Sequence, residues 1–84
     1  MNIDIERYLK NSGYSFDEIA KCLNMTIIND ELLPKKSITL NRFKEAIGEF
    51  IEDGIESGEN PEYILSQIIS DAETQNILIE MMLE

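Results

Sequence analysis

Eighty-four residues suffice for one small domain, close to the lower limit for a self-sustaining hydrophobic core. Apolar residues make up 43% and charged residues 29%, a balance that excludes an intrinsically disordered chain. Seventeen Asp and Glu against seven Lys and Arg give a formal charge of −10, and the absence of histidine removes the commonest general base and a leading metal ligand.

The charge is unevenly placed. All seven bases (Arg7, Lys10, Lys21, Lys35, Lys36, Arg42 and Lys44) precede residue 45, where six acids leave a balance of +1. The remaining 40 residues hold eleven acids and no base, −11. Such asymmetry points to an acidic interaction surface. Repulsion within that half lowers stability, and salt relieves it. Cys22 is the single cysteine, so no intramolecular disulfide framework is expected and a reducing cytoplasm is the simplest compartment. Asp4 and Glu6 interrupt the front of the chain before any apolar signal region, and no apolar run approaches the ~20 residues of a membrane span.

In chain order, residues 2–11 suit a first helix with Ile5, Tyr8 and Leu9 on one face and Gly13 just beyond its end. Ser15-Phe16-Asp17-Glu18 has the spacing of a capping box, opening a second helix that buries Phe16, Ile19, Ala20 and Leu23 with Cys22 and Met25 at its margin. Between Thr26 and Ser37, the apolar pairs Ile27-Ile28 and Leu32-Leu33 are expected to form one short helical turn, capped by Asn29 or Asp30 and stopped by Pro34. Thr39 then caps the central helix, where Leu40, Phe43, Ile47, Phe50 and Gly54 step by three and four, flanked by Ala46, Ile51 and Ile55. The glycine, asparagine and proline of Gly58-Glu59-Asn60-Pro61 suit the end of one helix and the start of the next. That fourth helix should bury Ile64, Leu65, Ile68, Ile69 and Ala72, with a restart at Ser70-Asp71-Ala72-Glu73, a second capping-box match.

The tail differs from the other helices. Ile77, Leu78, Ile79, Met81, Met82 and Leu83 fall almost all round a helical wheel, so something must surround them. Either the last helix sits centrally among the others, or Ile77, Leu78, Met81 and Met82 meet a second copy or another protein, a possible homodimer through the C-terminal helix. The pattern as a whole predicts an all-α fold, a single small bundle of four to five short helices covering residues 1–84 as one helical domain.

The chemistry of sites is sparse. Cys22 has no histidine or second cysteine to activate or resolve it. The four glycines are scattered, so no phosphate-cradling loop is formed. Asp53–Ile64 fails as a calcium loop, since isoleucine occupies its third and twelfth positions. No catalytic residue, metal site or cofactor is expected.

Residues Gly13-Tyr14-Ser15-Phe16-Asp17-Glu18-Ile19-Ala20-Lys21-Cys22-Leu23-Asn24-Met25-Thr26 resemble the first helix and turn of helix-turn-helix DNA-binding domains. Those run as Gly-aromatic-Ser, two variable residues, Glu-Ile-Ala, then Leu and a turn into Ser or Thr. The resemblance implies a recognition helix next, bearing basic and polar side chains for the major groove. Residues 27–34 depart from that pattern, being apolar and acidic and stopped by Pro34. Lys35, Lys36, Arg42 and Lys44 offer a small basic patch, so a modified helix-turn-helix regulator stands as an alternative, though the basic footprint of a DNA binder is missing.

On the central helix, Glu45, Glu49, Glu52, Asp53 and Glu56 share the face opposite the apolar one, a ridge ~16 Å long. Like charges four apart (Glu45 with Glu49, Glu49 with Asp53, Glu52 with Glu56) destabilise a helix by ~0.2–0.5 kcal/mol each. Glu59 and Glu62 extend the negative field. These seven residues are the expected partner-binding set of a non-enzymatic acidic module. Its partner would be a basic protein surface, such as the nucleic-acid groove of a nuclease, polymerase or defence complex, blocked by mimicry as small inhibitors of phages and mobile elements do. Direct nucleic-acid binding and membrane association are not expected. A helical dimeric adaptor is the remaining alternative.

Overall fold

The computed structural model describes residues 4–83. In order these form α1 (Ile5–Asn11), α2 (Phe16–Cys22), β1 (Thr26–Ile28), β2 (Glu31–Leu33), α3 (Leu40–Glu56), α4 (Pro61–Ser70) and α5 (Ala72–Leu83). The chain is mostly helical, 66%, but a small antiparallel hairpin corrects the all-α expectation. The expected helical start at residue 2 lies outside the described residues; α1 is capped by the Asp4 carboxylate, which accepts from the Arg7 amide.

The helix ends follow from the sequence. Ser15 Oγ accepts from the Glu18 amide at 3.2 Å, although the Glu18 carboxylate returns to the Ser15 hydroxyl and not to its amide. Asn60 caps α4 through the Glu62 amide at 2.8 Å, with Pro61 in the first helical position. The C-termini of α1, α2 and α3 all close in the same paired manner. The amides of Tyr14, Met25 and Glu59 reach back to the carbonyls of Leu9, Ala20 and Gly54, and those of Gly13, Asn24 and Gly58 to Lys10, Lys21 and Ile55. That closure needs a left-handed residue, and Gly13 and Gly58 supply it at φ 85° and 90°, with Asn24 at 61°.

Residues 26–33 are the main departure. The expected helical turn is instead a hairpin in which Thr26, Ile27 and Ile28 pair with Leu33, Leu32 and Glu31. Asn29 and Asp30 are its two turn residues, both at positive φ (51° and 63°), as a tight primed turn between right-twisted strands requires. The β-branched Ile27 and Ile28 favour the extended backbone over a helix. Leu32 is fully buried, and its amide bonds the Ile38 carbonyl at 3.0 Å while the Leu40 amide bonds Asp30 at 2.8 Å, stitching the hairpin to the start of α3. Where a helix-turn-helix would place its recognition helix, this chain places strands.

One apolar core joins all five helices and the hairpin. Phe43, Ala46, Ile47 and Ile51 of α3 meet Leu9, Ile19, Ala20, Leu32, Ile38, Ile64, Ile68 and Leu78. Phe16 packs edge-on to Phe43, ring centroids 5.9 Å apart. Met25, expected at the margin, is buried, since the paired closure of α2 folds it back beneath the helix. Ile69 is only half-buried, packed against the edge of the core, and Ala72 is exposed at the start of α5.

The α4–α5 joint also differs from expectation. Ser70 does not cap α5; its hydroxyl donates to the Ser66 carbonyl inside α4. Asp71 is the capping residue, extended at φ −105°, accepting from the Thr74 amide at 3.0 Å and the Thr74 hydroxyl at 2.8 Å. Gln75 Nε2 then donates to the carbonyls of Ile68 and Ile69, satisfying backbone groups that the end of α4 leaves open.

Candidate functional site

α3 positions five of the seven acidic candidate residues. Thr39 Oγ1 accepts from the Arg42 amide at 3.1 Å to open the helix, and burial of Phe43, Ala46, Ile47 and Ile51 fixes its rotation. That rotation leaves Glu45, Glu49, Asp53 and Glu56 exposed in a row, with Glu52 half-buried among them. Glu59 is exposed on the link after α3, and Glu62 is exposed in the first turn of α4. The row runs to the C-terminal end of α3, where the last turn has no basic residue. The helix dipole is already negative there, so Asp53 and Glu56 sit where a lysine would be favoured.

The nearby bases are largely engaged elsewhere. Arg42 donates through Nη2 to the Met81 carbonyl of α5 at 2.5 Å and lies 3.9 Å from both Glu45 and Glu49. Those contacts are at the outer limit of an ion pair, and with carboxylates 65% and 55% exposed they are worth little. Arg42 Nε is buried with no hydrogen-bond partner among the described residues. Lys44 pairs with Glu6 at 2.7 Å and stands 5.2 Å above the Phe16 ring. Asp53, Glu56, Glu59 and Glu62 have no ion pair among the described residues. Beside the row, where α1 meets α3, a groove of about 320 Å³ runs past Ile5, Lys44 and Glu45 over the bare backbone of Gly48.

The tail residues divide. Leu78 and Met82 are buried in the molecule's own core, 0% and 2% exposed, which removes both from the set expected to meet a partner. Helical geometry puts residues four apart on one face, and this pair faces inward. Ile77 is 47% exposed and Met81 half-buried, so these two keep their place at the surface. α5 runs antiparallel to α3: Thr74 lines a cleft with Phe50, while the Met81 carbonyl reaches Arg42. Ile77 lies one turn from each along α5.

A second concavity, about 300 Å³, lies between the end of α1 and α4. Asn11, Ser12 and Tyr14 face Glu62 and Ser66 across a floor of Leu65 and Ile69. The Tyr8 hydroxyl is buried close by, within hydrogen-bonding reach of the Ser12 side chain. Burial pushes its pKa above the ordinary value; Ser12 draws it partway down and the Glu62 charge raises it again. No sequence motif marks this cleft, because its walls come from residues some 50 positions apart that only the packing of α1 on α4 unites. Asp71 is held below the usual carboxylate range by the Thr74 hydroxyl first and the Thr74 amide second. Cys22 is half-buried and unpaired. Among the described residues no three Asp, Glu or Cys side chains are grouped to hold a metal ion, and no helix is long and apolar enough to cross a membrane.

Compared with known proteins, the chain matches no family model, no curated protein and no solved structure.

Proposed function

We propose that this chain is a non-enzymatic protein-binding module whose α3 face docks on a basic surface, of the sort that otherwise holds a nucleic acid. The observation that carries this reading is the row Glu45, Glu49, Asp53 and Glu56, left exposed and continued into a helix end that disfavours acids. A row selected for helix stability would alternate in sign, and this one repels itself at every four-residue step. Ile77 and Met81 supply an apolar margin that a purely electrostatic contact lacks, giving the partner something to desolvate. Blocking a nuclease, polymerase or defence complex by occupying its nucleic-acid groove is the action this surface suits. Association would be fast and salt-sensitive.

The test uses a Lys/Arg-rich helical peptide as probe, followed by amide chemical shifts of the labelled protein. Shifts should concentrate on residues 45–56 and be lost in the Glu49→Lys/Asp53→Lys double variant. The control is Glu73→Lys/Glu80→Lys on α5, which changes net charge equally; it should keep binding. Equal loss in both variants would show a diffuse charge effect and sink the α3 face.

A further inference from the structure

We propose that the cleft where α3, α4 and α5 meet seats a large apolar side chain of the partner, and that the docking element is a basic amphipathic helix. This rests on the reading of the α3 row as a docking face and names the form of what docks there. The cleft encloses about 180 Å³. Phe50 comes to it from α3, Tyr63, Ile64 and Gln67 from α4, Thr74 from α5, and Glu59 from the link after α3. Tyr63 is 54% exposed, and Ile77, itself exposed, follows Thr74 by one turn on α5. Of the four large apolar side chains that stand most exposed among the described residues, three (Tyr63, Ile77 and Leu83) belong to the half of the chain that has no base. Acids kept only for solubility would not be accompanied by bared apolar side chains.

Charge decides the occupant. Asp53 is exposed one turn from Phe50 on α3, and the Glu59 carboxylate folds over the bare Cα of Gly54, its Oε2 3.3 Å from where a Cβ would stand. No lysine or arginine follows residue 44, so nothing in this half of the chain answers those acids. A second copy offers only its front half, at +1, or an acidic half that repels. A basic segment with an apolar stripe satisfies both the cleft and its rim. The cleft lies beside the acidic row, so the apolar and basic side chains must project from neighbouring stripes of one element. A helix places them so, whereas a strand sends successive residues to opposite faces.

The probes are two helical peptides of equal charge, one of lysine and leucine with the leucines along one stripe, the other with every leucine replaced by alanine. Both should bind through the row, and the leucine peptide about tenfold more tightly, the scale of one well-buried anchor. The amides of Phe50, Gln67 and Thr74 should shift with the leucine peptide alone. Tyr63→Ser should remove the leucine advantage and leave the alanine peptide's affinity where it was. Ile28→Ser trims a similarly exposed apolar residue on the hairpin and should change neither. Equal affinity of the two peptides for the parent chain, or an advantage that survives Tyr63→Ser, overturns the proposal. If Glu49→Lys/Asp53→Lys still abolishes both, the α3 surface stands and only the cleft is refuted. A parent chain that runs as a dimer and becomes a monomer in Tyr63→Ser gives the cleft to a second copy, which overturns the proposal too. Failure of both peptides to bind refutes the α3 reading and this one with it.

Discussion

Asp53→Lys reverses one charge in the last turn of α3, which has no base of its own. In the parent chain Asp53 repels Glu49 one turn earlier, by ~0.2–0.5 kcal/mol for such a pair; a lysine there would attract it by a similar amount, in the favoured acid-before-base order. The helix dipole adds ~0.3–1 kcal/mol per charge at a surface terminus, adverse for the aspartate and favourable for the lysine. Taken near the low end because the position is exposed, the reversal should stabilise the fold by about 1 kcal/mol. For a domain this size that raises Tm by roughly 4–8 °C. Thermal unfolding followed by far-ultraviolet circular dichroism checks it at two ionic strengths, about 0.01 M and about 1 M, where the screening length falls from ~30 to ~3 Å. The gain should be full in the first and nearly absent in the second. A Tm that stays level or falls at low salt would show that the fold itself uses the Asp53 carboxylate, and the argument that the row is kept for a partner would fail.

Two glycines of α3 should respond in opposite senses. Gly48→Ala meets open space and should stabilise by about 1 kcal/mol, the ordinary penalty of glycine inside a helix, seen as a higher denaturant midpoint at unchanged slope. Gly54→Ala would drive its Cβ to 3.0 Å from Ile64 Cγ1 and closer still to Cδ1, and because Ile64 is buried the ~1–3 kcal/mol of overpacking should outweigh the helix gain and lower the midpoint. Asp71 carries an acid-side prediction. Its folded carboxyl lies below the ordinary value of 3.8, so its stabilisation is complete above that value and is lost as pH falls through the folded one. Asp71→Asn keeps an acceptor for the Thr74 amide without a proton to gain, so the Tm difference between variant and parent should narrow or reverse as the pH drops below about 4.

The helices were legible because their ends are written in residues with one conformational job. Ser15, Thr39 and Asn60 each bond an amide two or three positions ahead, and Gly13 and Gly58 take the left-handed turn that closes the preceding helix. The hairpin was not, because the doublets Ile27-Ile28 and Leu32-Leu33 fit one helical turn as well as two short strands. Its signal was the Asn29-Asp30 pair, two residues that tolerate positive φ, directly after the β-branched Thr26-Ile27-Ile28, a weaker form of the usual asparagine-glycine turn. The acidic row could be drawn from spacing alone, since the apolar face opposite it fixes the rotation of α3. Which of the tail's apolar residues face inward could not, as a wheel filled on all sides has no direction until α3 and α4 supply a surface. Leu78 and Met82 went in and Ile77 stayed out for that reason. Likewise nothing local in the sequence joins Tyr8 and Ser12 to Glu62 and Ser66.

The grip of Arg42 on the Met81 carbonyl has a practical corollary for anyone labelling the protein. α5 ends at Leu83, within one turn of the carbonyl that Arg42 holds, so a cationic or bulky group attached near its end would shade Glu45 and Glu49, which flank that guanidinium.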